Sequence, residues 1–355
     1  MRALIVDDDP TYRRILAQSL QRIGVTEVAM AGEIELAMGK LEREVFDVVT
    51  IDVVLRGETG LDLMKWVRVH RPALIALLVT SGSAAQASSA VDGLLLGATA
   101  VILKPSGPDA PGELDRRLGA ALALAERQAT DRLPRVASLP LPTLPRASAP
   151  LASPGPRELV ALGASTGGPA AVLLFLSSLP AEFRAPIVIT QHMSAPHVPH
   201  LAKLLRERSG LAVAVAEEGE PVESARVYIA PGGAHLRVVR RGARLVLTHD
   251  HGEEEHFCRP AVDPMFRSVA AACGASALGV VLTGMGSDGA AGAVALREHG
   301  ALVIVQDRAS SVVWGMPGAV VARGAADMVA PVVELAQWTG ATATPNRHTV
   351  TWRSA

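Results

Sequence analysis

Three side chains suited to one proton-transfer relay occur in the order Ser165, His192, Asp288. Ser165 lies in Gly163-Ala164-Ser165-Thr166-Gly167-Gly168, after the apolar run Leu159 to Leu162 and before a helix expected from Pro169. A serine on a tight strand-to-helix turn is lifted clear of its sheet, and small neighbours let a substrate approach the backbone. The N–H groups of the helix start favour developing negative charge. His192 follows the run Ile187 to Thr190, and Asp288, within Gly284-Met285-Gly286-Ser287-Asp288-Gly289, follows the run Ala277 to Thr283. If these runs are parallel strands, a nucleophile, a base and an orienting acid converge on one sheet edge, within roughly 3 Å contacts. Each residue also has a plainer role: Ser165 in an ordinary Gly-rich turn, His192 as a satisfied strand-end histidine, Asp288 as a helix N-cap. The order differs from that of α/β-hydrolases, where the acid precedes the histidine. No Lys follows Gly168, which excludes a P-loop, and no Gly-x-Gly-x-x-Gly fingerprint is present.

A second constellation lies nearer the N-terminus. Asp7 and Asp8 close the run Ala3 to Val6, Asp52 follows Val48 to Ile51, Thr80 ends Leu74 to Val79, and Lys104 ends Val101 to Leu103. In an open parallel sheet these carboxyl ends share one edge, where ligands bind at the switch in strand order. Asp8 and Asp52 offer hard oxygen ligands for Mg²⁺, which takes one or two carboxylates and leaves room for phosphate and water. Lys104 offsets charge on phosphoryl oxygens, and Thr80 is placed to hydrogen-bond one of them. A third cluster, His249-Asp250-His251 with Glu253, Glu254, Glu255 and His256, matches no closed zinc spacing. It reads better as a solvated loop or part of a substrate-facing rim.

The elements that must position these groups alternate along the chain. Helical patterns at Tyr12 to Ile23 and Leu61 to Val69 separate the first set of strands, and Pro169 to Leu176 and Met265 to Ala272 separate the second, with Leu302 to Gln306 as a further strand. The fold class is α/β, with helices on both faces of parallel sheets. From Leu211 to Leu247 the pattern changes to short strands and hairpins with Gly-Gly and Arg-Gly turns, and Asp263 with Pro264 reads as a helix N-cap and first helical residue. Seven prolines between Pro134 and Pro156, among Ser, Ala and Thr, favour extended chain over a packed core. The expected organisation is residues 1–126, a linker at 127–156, a second domain at 157–340 and a loose tail at 341–355. A length of 355 residues suits two cores. The net charge of −1 offers no footprint for nucleic acid. Two cysteines make no disulfide framework, the N-terminus has no signal-peptide pattern, and glycines break the uncharged stretch Ser268 to Ser287, so a cytoplasmic protein without membrane insertion is expected.

Val6-Asp7-Asp8, Ile51-Asp52-Val53, Val79-Thr80-Ser81 and Leu103-Lys104-Pro105 resemble the response-regulator receiver family over about the first third of the chain. That resemblance implies a flavodoxin-like fold and phosphorylation of Asp52 by a chemotaxis-type histidine kinase with Mg²⁺, supported by Asp7, Asp8, Thr80 and Lys104. Two positions depart from the family. Leu55-Arg56-Gly57-Glu58-Thr59-Gly60 replaces a Met-Pro-x-Met-Asp-Gly loop, and Val101 stands where a switching Tyr or Phe is frequent.

From Arg157 to Gln337 the chain resembles the CheB-type chemotaxis methylesterases. The resemblance rests on Ala164-Ser165-Thr166-Gly167-Gly168-Pro169, Thr190-Gln191-His192-Met193, Tyr228-Ile229-Ala230-Pro231-Gly232, Arg259-Pro260-Ala261-Val262-Asp263, Leu282 to Ala290 and Trp314-Gly315-Met316-Pro317. It implies a doubly wound, mainly parallel-sheet domain that hydrolyses glutamate γ-methyl esters on the cytoplasmic signalling helices of chemoreceptors, releasing methanol, and deamidates receptor glutamines. By position Ser165 resembles the nucleophile, His192 the base and Asp288 the orienting acid. The Met285 amide and the Thr166 region resemble the oxyanion donors. Ser287 stands where Asn is commoner. No cofactor is implied for the ester chemistry, and the receiver is implied to cover the catalytic face until phosphorylated. A general serine esterase or amidase and a non-catalytic adaptor are the alternative readings.

Overall fold

Short β-branched runs alternating with amphipathic helices become two α/β units, Met1–Ser138 and Leu139–Ala355. The computed structural model describes residues 1–81, 84–105, 110–132 and 157–343. Most of the expected linker and tail, 133–156 and 344–355, thus lies outside the described residues.

The first unit runs β1 (Arg2–Val6), α1 (Pro10–Arg22), β2 (Glu27–Ala31), α2 (Ile34–Arg43), β3 (Val48–Asp52), β4 (Val54–Leu55), β5 (Glu58–Thr59), α3 (Gly60–His70), β6 (Ile75–Thr80), α4 (Ala84–Leu95), β7 (Ala100–Leu103) and α5 (Ala110–Arg132). Five parallel strands take the order β2-β1-β3-β6-β7. Apolar clusters cover both faces, one built on Leu4, Ile51, Met64 and Leu78, the other on Ile5, Leu20, Leu77 and Leu118. The chain leaves β1 in one direction to β2 and in the other to β3, so the switch in order falls between β1 and β3. Asp9 caps α1 by accepting the Thr11 amide at 2.8 Å, with Pro10 at the helix start. The divergent loop after Asp52 folds as the β4–β5 hairpin, and Gly60 follows it because a Cβ there would lie 2.0 Å from the Asp52 carbonyl oxygen. Val101 is half-buried and packs on the Leu78 cluster. Helix α5 continues to Arg132, six residues past the boundary expected at 126.

The second unit runs β8 (Leu159–Ala164), α6 (Gly168–Ser177), β9 (Ile187–Gln191), α7 (Val198–Ser209), β10 (Ala212–Val215), β11 (Arg226–Ile229), β12 (His235–Arg241), β13 (Arg244–Asp250), α8 (Val262–Cys273), β14 (Ala277–Val281), α9 (Ala290–Glu298), β15 (Leu302–Gln306), α10 (Gly315–Ala322), β16 (Met328–Ala330) and α11 (Val332–Ala343). Seven strands, all parallel, take the order β10-β11-β9-β8-β14-β15-β16. Only β12–β13, turning at Gly242, forms the hairpin expected between Leu211 and Leu247. β10 and β11 instead join the main sheet, and Gly232-Gly233 connects β11 to β12 without pairing them. Helix α8 presses on β8 so closely that a Cβ on Gly163 would meet Val262 at 2.5 Å. Asp263 is not the N-cap of α8. Ala261 occupies that position, and Asp263 lies inside the first turn with its carboxylate accepting from the Gly292 amide at 2.6 Å.

Candidate active site

Strands β9, β8 and β14 are neighbours at the centre of the second sheet; β8 and β9 end one residue before Ser165 and His192, and Asp288 lies in the loop that joins β14 to α9. The β8–β9 register continues past both strands, since the His192 amide donates to the Ala164 carbonyl at 3.1 Å. Ser165 is tied to the other side, its amide donating to the Thr283 carbonyl at 3.0 Å. Its turn closes when the Gly168 amide donates to the Ser165 carbonyl at 2.8 Å; the left-handed residue is Gly167, at φ +76°, where a Cβ would strike Val312.

The side chains then meet. His192 Nδ1 lies 3.1 Å from Ser165 Oγ, and Nε2 lies 2.6 Å from Asp288 Oδ2. The ring thus shows Nδ1 to the hydroxyl and Nε2 to the carboxylate, the reverse of the chymotrypsin assignment, with the same logic of base and orienter. Asp288 is 1 % exposed and accepts three amides: Val262 through Oδ2 at 2.6 Å, Asp263 and Gly289 through Oδ1 at 2.9 and 2.8 Å. The first two belong to the start of α8. Asp288 therefore does cap helical amides, those of α8 and not only its own loop, while it holds His192. Burial opposes its charge, but His192 and these amides more than compensate and keep its pKa below the ordinary carboxylate value. For His192, burial alone lowers the pKa; its hydrogen bonds with Asp288, which accepts from Nε2, and with Cys258 outweigh it and raise it to about 9.

Gly284 and Met285 pass directly beside the nucleophile, since a Cβ on Gly284 would lie 2.8 Å from Ser165 Cβ and 2.2 Å from Met316 Sδ. The Met316 amide donates to the Gly284 carbonyl at 2.8 Å, which ties this loop to α10. Among the described residues the backbone amides of Thr166 and Met285 donate to no protein acceptor, so both remain open to a developing oxyanion.

Two residues that the sequence reading gave no role also touch this site. Gln191 Nε2 donates to the Ser165 and His192 carbonyls at 2.9 and 3.2 Å and so clamps nucleophile and base together. Its place between Thr190 and His192 was the available signal. Cys258 Sγ lies 3.5 Å from His192 Nδ1; it directly precedes the Arg259 to Asp263 motif. Of the His249 cluster, His249 Nε2 meets the Ala216 carbonyl at 3.1 Å, and only His256 joins a group compact enough for a metal, with Asp263 and Asp288.

In the first unit the expected acidic residues also assemble. Asp7, Asp8 and Asp52 bring carboxylate oxygens within 4.8 Å of one another. Lys104 Nζ lies 2.9 Å from Asp7 and 2.5 Å from Asp52. Burial raises the Asp7 pKa despite Lys104, and the two carboxylates raise that of Lys104 against the effect of its own burial. Thr80 is placed differently from the expectation: its hydroxyl donates to Gln86 Oε1 at 2.8 Å, which also accepts from the Ser81 amide and hydroxyl.

Comparison with known proteins matches these two assemblies to two families. The CheB methylesterase family profile matches residues 160–339 and the response regulator receiver domain profile residues 3–112. The chain belongs to the CheB methylesterase family. It is 37 % identical over 362 residues, 95 % of each chain, to protein-glutamate methylesterase/protein-glutamine glutaminase 1 of Paramagnetospirillum magneticum. It is 38 % identical over 345 residues to protein-glutamate methylesterase/protein-glutamine glutaminase 2 of Xanthomonas oryzae pv. oryzae, covering 95 % of this chain and 96 % of the relative. The crystal structure of the Thermotoga maritima CheB methylesterase catalytic domain is 37 % identical and covers 52 % of this chain and 98 % of its own, with a TM-score of 0.51. Among the described residues no helix is long and apolar enough to cross a membrane.

Proposed function

We propose that this chain is a phosphorylation-controlled serine hydrolase that removes glutamate γ-methyl esters from chemoreceptor cytoplasmic signalling helices and deamidates receptor glutamines. The observation that carries this reading is the continuous hydrogen-bonded line from Ser165 through His192 to Asp288 at the ends of three adjacent strands. Neutral His192 takes the Ser165 proton at Nδ1 as Oγ bonds to the ester carbonyl carbon. The Thr166 and Met285 amides face the oxyanion. His192 then returns the proton to the departing methoxide, so methanol leaves and an acyl-serine remains. Water, deprotonated by the same nitrogen, attacks the acyl carbon; the Ser165 Oγ–acyl bond breaks, Oγ takes that proton back from His192, and the released glutamic acid side chain ionises to the carboxylate. With a glutamine side chain the same steps release ammonia. Asp288 holds the imidazole in one tautomer and stabilises its charged form. No resident cofactor takes part in these steps.

Control is assigned to the first unit. Three carboxylates around Asp52 are hard oxygen donors that suit Mg²⁺, with Asp8 and Asp52 as its ligands. Bound there, the ion would offset the charge of the incoming phosphoryl group. Lys104 is placed to follow the new charge on Asp52, and a chemotaxis-type histidine kinase in the cytoplasm supplies the phosphoryl group. Thr80, whose hydroxyl donates to Gln86, would turn that hydroxyl toward a phosphoryl oxygen. The test is methanol release from a methylated receptor cytoplasmic fragment, with and without a phosphodonor. Ser165→Ala should lower turnover by about six orders of magnitude; turnover at the wild-type rate would reject the assignment.

A further inference from the structure

Among the described residues of the second unit, the chain between β13 and α8 carries the most exposed large apolar side chain, Phe257, at 97 % exposure; Leu174, Val312 and Val333 are all below half. Phe257 and His256 both have left-handed backbones, at φ +59° and +55°. They are the central pair of a tight turn closed by the Cys258 amide on the Glu255 carbonyl at 2.9 Å and the reciprocal bond at 3.2 Å. Such turns favour Asn-Gly, and bulky residues at positive φ persist only where their surroundings impose them.

The surroundings here are the catalytic residues. His256 Nε2 lies 2.8 Å from Asp263 and 3.9 Å from Asp288, and Cys258 Sγ lies 3.5 Å from His192. Consecutive Cα atoms are 3.8 Å apart, so the Phe257 backbone sits between two residues whose side chains both reach the triad. Farther out, Arg259 holds the His251 and Gly252 carbonyls, and Glu255 pairs with Arg267. Phe257 alone in this turn makes no side-chain hydrogen bond or ion pair, and its ring lies in solvent on a backbone tied down by its two neighbours.

We propose that Phe257 is a specificity-determining contact for protein substrates, its ring packing on an apolar patch next to the glutamyl ester. This rests on the methylesterase reading and adds the surface by which the protein, as distinct from its ester, is recognised. A small acyl ester fills the catalytic site without reaching the ring. An exposed aromatic on a pinned backbone brings large apolar area with few torsions to order on docking, the usual property of an interface anchor.

The test uses the full chain and two substrates, a methylated receptor cytoplasmic fragment and p-nitrophenyl acetate. For Phe257→Ala, the ratio of kcat/KM on the fragment to kcat/KM on the small ester should fall about tenfold, mostly through KM. Phe257→Leu should recover most of the loss. An unchanged ratio overturns the proposal. Equal losses on both substrates overturn it too, by making Phe257 a support for the turn, and equal gains without phosphodonor do so by placing the ring against the receiver. A wild type that hydrolyses the small ester but never the fragment refutes the methylesterase reading itself; wild-type activity on both with no change in Phe257→Ala rejects this contact alone.

Discussion

Replacing Asp288 by Asn tests the relay most directly, because the structure fixes what the carboxylate must do. It accepts four donors, His192 Nε2 and the amides of Val262, Asp263 and Gly289. An asparagine has one oxygen for them and turns its NH₂ toward two. With the oxygen toward His192, the ring keeps its tautomer but loses a full negative charge at 2.6 Å. With the NH₂ toward His192, Nε2 becomes the acceptor and Nδ1 carries the proton, so Ser165 has no base. The rise from 6.5 to about 9 corresponds to about 3 kcal/mol in favour of the imidazolium. Cys258 also raises this pKa and desolvation lowers it, so losing the carboxylate alone should bring the midpoint clearly below 9. The assay is kcat/KM for methanol release between pH 5 and about 10, corrected for spontaneous hydrolysis. Wild type should rise with pH through a midpoint near 9, as the neutral ring appears. Asp288→Asn should show the lower midpoint and a plateau reduced by roughly three to four orders of magnitude. The raised pKa also contributes stability that is complete below about pH 6.5 and lost as pH rises through about 9; the variant should therefore lose most at acid pH. A midpoint still near 9, or activity within tenfold of wild type, would refute the reasoning.

Two further outcomes follow from the geometry. Gly284→Ala puts a methyl 2.2 Å from Met316 Sδ and 2.8 Å from Ser165 Cβ; kcat/KM should fall by about a hundredfold and the denaturation midpoint should drop by an amount worth about 1–3 kcal/mol. Asp52→Asn should keep unstimulated hydrolysis and lose its increase with acetyl phosphate and Mg²⁺, and EDTA should abolish that increase in wild type. Stimulation of Asp52→Asn equal to wild type would move phosphorylation elsewhere.

The candidate triad was legible because strand ends in a parallel sheet share an edge: once Leu159 to Leu162, Ile187 to Thr190 and Ala277 to Thr283 read as strands, Ser165, His192 and the loop that carries Asp288 fall on one side of the sheet. Less regular features were harder. β2 lies at a sheet edge with Glu27 and Met30 exposed, so its pattern is weak. β10 and β11 are four residues each and lack the length that separates a parallel strand from half a hairpin. Asp263 beside Pro264 looked like a cap because both types suit a helix start, but its partner is Gly292, an amide that only tertiary packing supplies. Likewise, nothing local to Thr80 announces Gln86, and nothing local to Cys258 announces His192.

Ser165, His192 and Asp288 all lie beyond the carboxyl ends of their strands, which has a consequence for the opposite rim. The connections entering β9 and β15, at Ser178 to Pro186 and His299 to Ala301, lie at the amino ends of their strands. They reach the chemistry only through the full length of a buried strand. A peptide tag or a small folded insert grafted there would be a passenger, which makes that rim the natural handle for tethering or labelling the enzyme while it works.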